Sequence, residues 1–257
     1  MLKNKVVIVT GGTSGIGLEI VRECVELGAK VMIHSLPSLE KEAQELVKEL
    51  GENASYICVD LQNFDELPSI VHKSVEVFGR VDALVNNAGV CPQNNIFNMD
   101  EDIYNTVMNI NYKAPLFLCK AITDVFIEKK IKGSIVNIGS VNAHCGQDEL
   151  LVYSCSKGAL MTMSKNLGNA LGGYGIRVNQ INIGWTYTQR EHNMRLGNGN
   201  PPDWYKNIPS SLAPRGSILT PREIAKHVAF WASDISAPAT GSVYELEQYP
   251  IERIQLI

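Results

Sequence analysis

Tyr153 and Lys157 lie four positions apart, and Ser140 precedes the tyrosine by thirteen positions. Residues at positions i and i+4 share one face of a helix, separated by about 6 Å of axial rise. A phenol is a weak base at neutral pH, but a nearby ammonium favours the phenolate and lowers the phenol pKa. A serine hydroxyl beside these two groups can hold a substrate oxygen against the phenol. The three residues therefore predict a site that moves a proton on or off an oxygen atom.

The stretch from Tyr153 to Lys157 alone is also typical of a partly buried ring beside a solvated charge, so the rest of the chain must distinguish the two. The chain has 257 residues, of which 45% are hydrophobic and 19% charged, with a net charge of −4. This composition favours a folded core over disorder and provides no basic surface for DNA or RNA. The apolar run at 6–9 is too short for a signal peptide or a membrane span. We therefore expect neither a nucleic-acid partner nor a membrane partner.

Six cysteines are scattered along the chain without a CxxC pair. This pattern is typical of reduced thiols and predicts a cytoplasmic protein. No cluster of His, Cys, Asp and Glu has the spacing of metal ligands in the sequence, so we expect no catalytic metal.

Short β-branched runs alternate with segments of helical hydrophobic period. The predicted strands cover 5–10, 30–34, 55–59, 81–85, 134–138, 177–183 and 242–246. The predicted helices cover 16–27, 38–50, 63–78, 101–130 and 151–172, with a bend or break at Pro115 and another helix after Thr220. This alternation predicts an α/β fold with one doubly wound parallel sheet and helices on both faces, in a single domain over 1–257. The segment 186–217 lacks a hydrophobic period and is rich in Asn, Pro and Gly, so we expect a mobile lid over the pocket.

A glycine-rich turn follows the first predicted strand and opens a helix. Gly11, Gly15 and Gly17 lack Cβ atoms, which lets the backbone approach a pyrophosphate near the helix N-terminus. The spacing is G-x-x-x-G-x-G rather than G-x-G-x-x-G, and a tight connection without a ligand is the alternative. Its place between a strand and an amphipathic helix favours a Rossmann-type nucleotide site.

Four motifs, in this order, resemble the short-chain dehydrogenase/reductase family. Residues 10–17, TGGTSGIG, are similar to its cofactor-binding turn, and residues 86–89, NNAG, are similar to the motif after its fourth strand. Asn111 falls where the family carries its catalytic asparagine, and Ser140, Tyr153 and Lys157 match its serine and its YxxxK motif. The resemblance covers about residues 3–247. It implies an NAD(P)-dependent enzyme that interconverts a secondary alcohol and a ketone.

The resemblance also implies roles for the site residues. Tyr153 would be the acid and base, Lys157 would lower its pKa and hold the nicotinamide ribose, and Ser140 would orient the substrate oxygen. Asn111 would keep a helix bent around a water that links Lys157 to solvent. Asp60 would contact the adenine, with capping of the next helix as its alternative role. The implied cofactor-binding residues are Gly11, Thr13, Ser14, Gly15, Ile16, Gly17, Ser35, Asp60, Leu61, Asn87, Ala88, Gly89, Tyr153, Lys157, Gly184, Thr186 and Thr188.

The chain departs from the family pattern near its sixth strand and near its C-terminus. Gly184 follows an isoleucine where the family usually has a proline. The sequence therefore does not fix the path of the backbone near the nicotinamide. Thr188 stands where the family has a threonine that touches the carboxamide or a phosphate, and Thr186 is a rival for that role. Glu247 and Gln248 replace a common Asp-Gly, and we expect this end to lie near the pocket or a subunit contact.

The choice between NAD and NADP is open in the sequence. Family members that select NAD carry a carboxylate at the end of the second strand, and NADP users carry a basic residue there or in the glycine turn. This chain has His34, Ser35 and Leu36 at the strand end and Ser14 in the turn. No carboxylate repels the 2′-phosphate and no arginine clamps it, although His34 would add positive charge below about pH 6.5. We therefore predict weak discrimination and use of both cofactors.

Polar side chains near the expected pocket favour a small polar substrate, namely a sugar, polyol or sugar acid. The main candidates for substrate contact are Asn142, Gln147, Trp185 and Arg190, with Gln93, Asn94, His144, Gln189 and His192 beside them. Arg190 favours a substrate that carries a carboxylate. The stretch after Gly184 also loosely resembles a sugar-dehydrogenase-type branch of the family. The alternatives are a 3-oxoacyl or steroid-type carbonyl reductase and a catalytically silent NAD(P)-binding sensor.

The resemblance further implies a homo-oligomer, specifically a homotetramer. The tail at 251–257 adds a physical reason, because four of its seven residues are Ile or Leu. An apolar tail of this kind favours burial against another surface.

Overall fold

Seven parallel strands form one sheet in the computed structural model, which describes residues 1–144 and 146–249. The strands are β1 (Val6–Thr10), β2 (Lys30–Ser35), β3 (Ala54–Cys58), β4 (Ala83–Asn86), β5 (Ser134–Ser140), β6 (Arg177–Ile183) and β7 (Val243–Leu246). Their order is β3-β2-β1-β4-β5-β6-β7. The observed ends agree with the predicted strands within two residues. The tail at 251–257, on which the expected burial rests, lies outside the described residues.

Helices cover both faces of the sheet, which confirms the predicted doubly wound α/β fold. They are α1 (Gly15–Glu26), α2 (Glu40–Leu50), α3 (Leu67–Phe78), α4 (Glu101–Met108), α5 (Ala114–Glu128), α6 (Leu151–Leu171), α7 (Gln189–Gly197) and α8 (Pro221–Ala232). On β1, Val7 and Val9 pack with α1 and α8, whereas Ile8 packs with α3, α5 and α6. A strand buried on both faces is apolar at every position, which is why short β-branched runs predicted the sheet.

The helical run predicted at 101–130 is continuous but irregular. It consists of α4, a π-helical turn at Asn109–Lys113, and α5. Pro115 lies in the first turn of α5, directly after the π turn, and the helical run continues through it. The irregularity lies instead in the π turn, which contains Asn111. Single π turns of this kind occur frequently at functional sites.

The segment 186–217 contains a helix, α7, that the hydrophobic pattern did not predict. Its N-cap is Thr188, whose hydroxyl accepts a hydrogen bond from the Glu191 N–H at 3.1 Å. No residue of α7 is buried, so the helix has no apolar face to reveal it in the sequence. The segment packs around a small separate cluster that includes Trp204 and Ala213. Among the helices of the described residues, none is long and apolar enough to cross a bilayer.

The C-terminal ends of β1, β4 and β5 meet at one edge of the sheet. β1 pairs with β2 on one side and with β4 on the other. The chain therefore winds away from β1 in two directions, and parallel sheets bind ligands in the crevice at such a switch point. The glycine turn, the 86–89 motif and Ser140 all lie at this edge.

Candidate active site

The turn between β1 and α1 brings two stretches of backbone into close contact. Gly11 has a φ of 63°, which glycine adopts without the strain that a side chain adds. A Cβ atom on Gly17 would lie 2.0 Å from the carbonyl oxygen of Gly11. The two glycines thus allow the turn to close beneath the N-terminus of α1, and the resulting surface can admit a pyrophosphate.

A cavity of about 440 Å³ opens beside this turn. The cofactor-binding residues implied by the sequence that line it are Gly11, Thr13, Ser14, Gly15, Ile16, Gly17, Ser35, Asp60, Leu61, Asn87, Ala88, Gly89 and Thr188. Its other lining residues are His34, Leu36, Leu39, Val90, Ile110, Gln189 and Arg190. Residues from the glycine turn, from the ends of β2, β3 and β4, and from the start of α7 thus surround one space. This lining fits a dinucleotide.

Thr10 and Asn87 fix the ends of β1 and β4 to each other. The Thr10 hydroxyl accepts hydrogen bonds from the backbone N–H groups of Asn87 at 2.9 Å and Ala88 at 3.0 Å. The Asn87 amide donates to the Thr10 carbonyl at 2.8 Å. These contacts hold the 86–89 motif against the glycine turn, so the floor of the cavity is set before any ligand binds.

His34 is a buried structural residue rather than a cation facing the cofactor. Its Nε2 lies 2.9 Å from the Val59 carbonyl oxygen, and its Nδ1 accepts from the Gly11 N–H at 3.3 Å. These partners require the neutral tautomer with the proton on Nε2. Burial lowers the pKa of His34 to about 4, although the Val59 carbonyl opposes the shift. The expectation that His34 adds positive charge below pH 6.5 is therefore wrong.

Asp60 and Ser35 line the part of the cavity beyond the glycine turn. The Asp60 carboxylate accepts a hydrogen bond from the Gln62 N–H at 2.9 Å. The helical turn at Phe64–Glu66 has Asn63 as its N-cap, so Asp60 is not its cap. The Ser35 hydroxyl lies 3.1 Å from the Thr13 hydroxyl. Both residues can therefore contact a ligand in the cavity.

Ser140, Tyr153 and Lys157 come together where β5 ends and α6 begins. Ser140 is the last residue of β5, and it lies close enough to the Tyr153 phenol to oppose the rise of the Tyr153 pKa. The Lys157 Nζ lies 5.6 Å from the centre of the Tyr153 ring and donates to the Ile138 carbonyl at 2.8 Å. The geometry expected from the four-residue spacing on one helix face is present.

Burial controls the ionisation of both Tyr153 and Lys157. Burial raises the pKa of Tyr153, the Cys91 thiol adds to the shift, and the hydrogen bond with Ser140 opposes it. Burial also lowers the pKa of Lys157 to about 8. The expected lowering of the Tyr153 pKa is therefore wrong for this structure, because desolvation of the phenolate is the larger effect. At neutral pH the phenol is protonated and the lysine is mostly an ammonium.

Asn111 connects three parts of the site through its amide. Its Oδ1 accepts from the Val90 N–H at 2.8 Å, and its Nδ2 donates to the Val90 carbonyl at 2.9 Å. The same Nδ2 donates to the Ser156 hydroxyl at 3.1 Å. Asn111 thus ties the π turn to the loop after β4 and to α6, where its partner Ser156 is the residue next to Lys157.

Asn94 is a residue that sequence reasoning assigned to the substrate pocket, but it is buried and caps α6. Its Oδ1 accepts from the Val152 N–H at 3.1 Å, and its backbone carbonyl accepts from the Leu151 N–H at 3.1 Å. Leu150 occupies the N-cap of α6 and provides no side-chain cap. A leucine at the N-cap indicates that the cap of α6 comes from another part of the chain, because the first N–H groups of a helix need acceptors.

The other substrate candidates are more dispersed than the sequence suggested. Asn142 and Gln147 lie together after Ser140, with the Asn142 Nδ2 3.4 Å from the Gln147 Oε1. The Trp185 indole N–H donates to Glu191 at 2.9 Å. Arg190 lines the cavity beside the glycine turn, together with Thr188 and Gln189. The polar side chains of Gln93, His144 and His192 have partners within the protein, namely Glu149, Glu245 and Trp204.

Four of the expected cofactor-binding residues do not line the cavity, namely Tyr153, Lys157, Gly184 and Thr186, whereas Thr188 does. The Thr186 hydroxyl donates to the Gly184 carbonyl at 3.0 Å. A Cβ atom on Gly184 would lie 1.7 Å from a carboxylate oxygen of Glu247. The side chain of Glu247 therefore occupies the space beside Gly184.

Within 1–144 and 146–249, no three His, Cys, Asp or Glu residues are grouped so as to hold a metal ion.

Comparison with known proteins agrees with this geometry. The family model described as short chain dehydrogenase matches residues 5–198. The chain belongs to the short-chain dehydrogenase/reductase family and is an enzyme of that family. The cavity and the Ser140, Tyr153 and Lys157 constellation are the features of the structure that correspond to this membership.

Curated relatives match nearly the whole chain. An uncharacterized oxidoreductase of Thermotoga maritima is 35% identical over 95% of this chain and 96% of its own length. The 3-oxoacyl-(acyl-carrier-protein) reductase FabG of Chlamydia muridarum is 31% identical over 96% of this chain and 97% of its own. The L-rhamnose 1-dehydrogenase (NAD(P)(+)) of Azotobacter vinelandii is 31% identical over 94% of each. The named substrates of these relatives differ from one another, so similarity does not select one for this chain.

Proposed function

We propose that the protein interconverts a secondary alcohol and a ketone with a nicotinamide dinucleotide. The observation that carries the proposal is the Ser140, Tyr153 and Lys157 constellation beside a cavity that fits the cofactor. The bound nicotinamide would accept or supply the hydride. The reacting carbon would lie between the cavity and the Tyr153 phenol.

The chain's own residues supply the proton and the orientation. In the reducing direction Tyr153 gives its phenolic proton to the substrate oxygen, and burial keeps that proton in place at neutral pH. Ser140 hydrogen bonds the same oxygen. The Lys157 ammonium stabilises the phenolate that forms, and Asn111 holds the surrounding π turn and α6 together.

We propose that both NAD and NADP serve as cofactors. The wall formed by Thr13, Ser35 and Leu36 carries hydroxyl and apolar groups, and His34 behind it is neutral. These four residues include neither a carboxylate that excludes the 2′-phosphate nor a guanidinium that clamps it, although Asp60 and Arg190 line the same cavity. The ratio of kcat/KM for the two cofactors, measured with one substrate, should lie within about 100-fold, equivalent to about 2.7 kcal/mol. A larger ratio would contradict the proposal.

A small polar substrate, such as a sugar, polyol or sugar acid, is the class that we propose. Asn142 is partly exposed, Gln147 is exposed, and both lie in the loop between Ser140 and α6, so their amides can bind substrate hydroxyls. Arg190 lines the cavity that we propose for the dinucleotide, so its guanidinium alone does not argue for a carboxylate-bearing substrate. Similarity to the L-rhamnose dehydrogenase supports the polar class, and similarity to the 3-oxoacyl reductase supports the alternative of an acyl substrate.

A paired substrate screen tests the function. Purified protein with NAD, NADP and their reduced forms is offered aldoses, polyols and aldonates in one set, and 3-oxoacyl thioesters and steroids in the other. We expect turnover in the first set. Efficient turnover in the second set alone would overturn the polar class. Tight cofactor binding without turnover of either set would favour a silent sensor and overturn the enzymatic proposal.

We also propose that the segment 186–217 is a lid and that the protein is a homotetramer. The lid proposal is supported because the segment begins near the cavity and packs on its own small cluster rather than on the main core.

The homotetramer is supported by an open apolar depression on α5 and α6. It is lined by Leu116, Ala159, Met163 and Leu167 among others, and such a surface favours a subunit contact.

A further inference from the structure

Both ends of the segment 186–217 are joined to each other at a narrow neck. Thr186 and Leu219 form an isolated parallel bridge. The Leu219 N–H donates to the Trp185 carbonyl at 2.9 Å, and the Tyr187 N–H donates to the Leu219 carbonyl at 2.8 Å. The segment is therefore a closed loop whose orientation depends on whatever holds the neck.

Glu247 holds the first end of this loop. One carboxylate oxygen accepts from the Trp185 N–H at 3.0 Å, and the other accepts from the Gln248 N–H at 2.8 Å. The side chain fills the space that a Cβ on Gly184 would occupy. The absence of a side chain at Gly184 thus allows the carboxylate to approach the backbone at the point where the loop begins.

Gln248 holds the second end. Its Oε1 accepts from the Arg215 N–H at 3.1 Å, and its Nε2 donates to the Ser217 carbonyl at 2.7 Å. Both are backbone contacts, so they fix the path of the chain. Arg215 extends the same anchor through its guanidinium, which donates to the Ile218 carbonyl at 2.8 Å and to Glu223 of α8 at 2.8 Å.

The Trp185 side chain contacts residues in the interior of the loop. Its indole stacks on Trp204 with ring centres 5.5 Å apart and donates to Glu191 of α7. Arg195 of α7 donates to the same carboxylate at 2.9 Å. A shift of the Trp185 backbone would therefore move α7, whose first residues line the dinucleotide cavity.

We propose that Glu247 and Gln248 are positioning residues that hold the two ends of the segment 186–217. They would thereby fix the position of this segment relative to the substrate pocket. They follow β7 directly, where the family commonly has Asp-Gly, so this chain uses two longer side chains at that place. The consequence for substrate binding rests on the proposed oxidoreductase function. The clamp itself is defined by three hydrogen bonds, from the Trp185 N–H to Glu247, from the Arg215 N–H to Gln248 and from Gln248 to the Ser217 carbonyl. It does not depend on the identity of the substrate.

The test uses full-length protein and three variants. Gln248→Ala removes both contacts to the second end, and Glu247→Ala removes the contact to the first. Glu247→Gln keeps the shape and one acceptor oxygen, so it serves as the conservative rescue. Two surface changes on α2 are the matched controls, Gln44→Ala and Glu49→Gln. The readouts are amide hydrogen exchange, KM and kcat for a substrate from the screen, and cofactor affinity by fluorescence.

We expect Gln248→Ala to speed exchange of the Arg215 amide about tenfold and to raise KM about fivefold, with cofactor affinity within about twofold of the wild type. Glu247→Ala should speed exchange of the Trp185 amide similarly, and Glu247→Gln should recover most of the loss. The controls should change neither quantity.

Unchanged exchange at both amides in the alanine variants would overturn the clamp. Faster exchange with an unchanged KM would show that the two residues only stabilise the loop, and would overturn the positioning role. If the wild type turns over no alcohol or ketone, the proposed function fails, while exchange at the two amides still decides the clamp.

Discussion

At the scale of single residues, desolvation sets the protonation states of the active site. Tyr153 keeps its proton because burial disfavours the phenolate, and Lys157 gives up its proton near pH 8 because burial disfavours the ammonium. Both pKa shifts have the same cause, because burial disfavours the charged form of each group, an anion for Tyr153 and a cation for Lys157. A bound cofactor that accepts a hydrogen bond from Lys157 would change the pKa of a lysine that already titrates close to neutral pH.

The pKa of Lys157 predicts a descending limb in the pH profile. Below pH about 8 the ammonium is present, and above that pH it is lost. We expect kcat/KM for the reduced cofactor to be level below about pH 8 and to fall about tenfold for each pH unit well above it. Initial rates of carbonyl reduction at low cofactor concentration measure this profile.

Lys157→Arg is the matched control for this limb. A guanidinium remains charged across the range, so the residual activity of the variant should lack the fall, although its rate will be lower because arginine does not replace lysine geometrically. A wild-type profile that stays level to pH 9.5 would contradict the account. The same fall in the arginine variant would assign it to another group.

At the scale of elements, α6 contains Tyr153 and Lys157, and its first turn is capped by a loop that is distant in sequence. Asn94 caps the first turn of α6 across 58 positions of chain. We expect Asn94→Ala to lower stability by about 1–2 kcal/mol, because a buried helix N–H loses its acceptor. Turnover should fall as well, since the first turn of α6 contains Tyr153. Thermal unfolding and kcat measure the two effects.

Asn94→Asp should restore most of both losses, because a carboxylate still accepts from the Val152 N–H and suits a helix N-terminus. Asn53→Ala, at an exposed site after α2, is the control for removal of an asparagine amide. Stability and turnover of Asn94→Ala equal to those of Asn53→Ala would show that the cap is not needed.

The sequence predicted the sheet correctly, and it also predicted that Ser140, Tyr153 and Lys157 lie close together. Strands buried on both faces are uniformly apolar, and the catalytic spacing lies within one strand end and one helix. The protonation of His34, the role of Asn94 and the helix α7 were not predicted. The first two depend on contacts between distant parts of the chain, and α7 buries no residue that would give it a hydrophobic period.

At the scale of the whole molecule, the subunit contact proposed on α5 and α6 can be tested by charge insertion. The depression there is lined mainly by apolar side chains, and Thr162 lies in it at an exposed position. We expect the wild type to have a tetrameric mass by light scattering at micromolar concentration. Thr162→Arg should give a smaller mass, because a guanidinium would be buried without a partner.

Asn169→Arg introduces the same charge on an exposed position of α6 outside the depression, and it should leave the mass unchanged. A monomeric wild type would contradict the homotetramer. A tetramer in both variants would place the subunit contact elsewhere on the molecule.

In the proposed reaction, Tyr153 transfers a proton to or from a substrate oxygen beside a bound nicotinamide. The most direct measurement compares turnover of Tyr153→Phe with that of the wild type, on the substrate found in the screen, with cofactor affinity measured on the same samples. The account predicts a loss of about 100-fold or more in kcat with cofactor affinity retained, the usual scale for removal of a general acid. Turnover within about threefold of the wild type would contradict the assignment of Tyr153 as the acid.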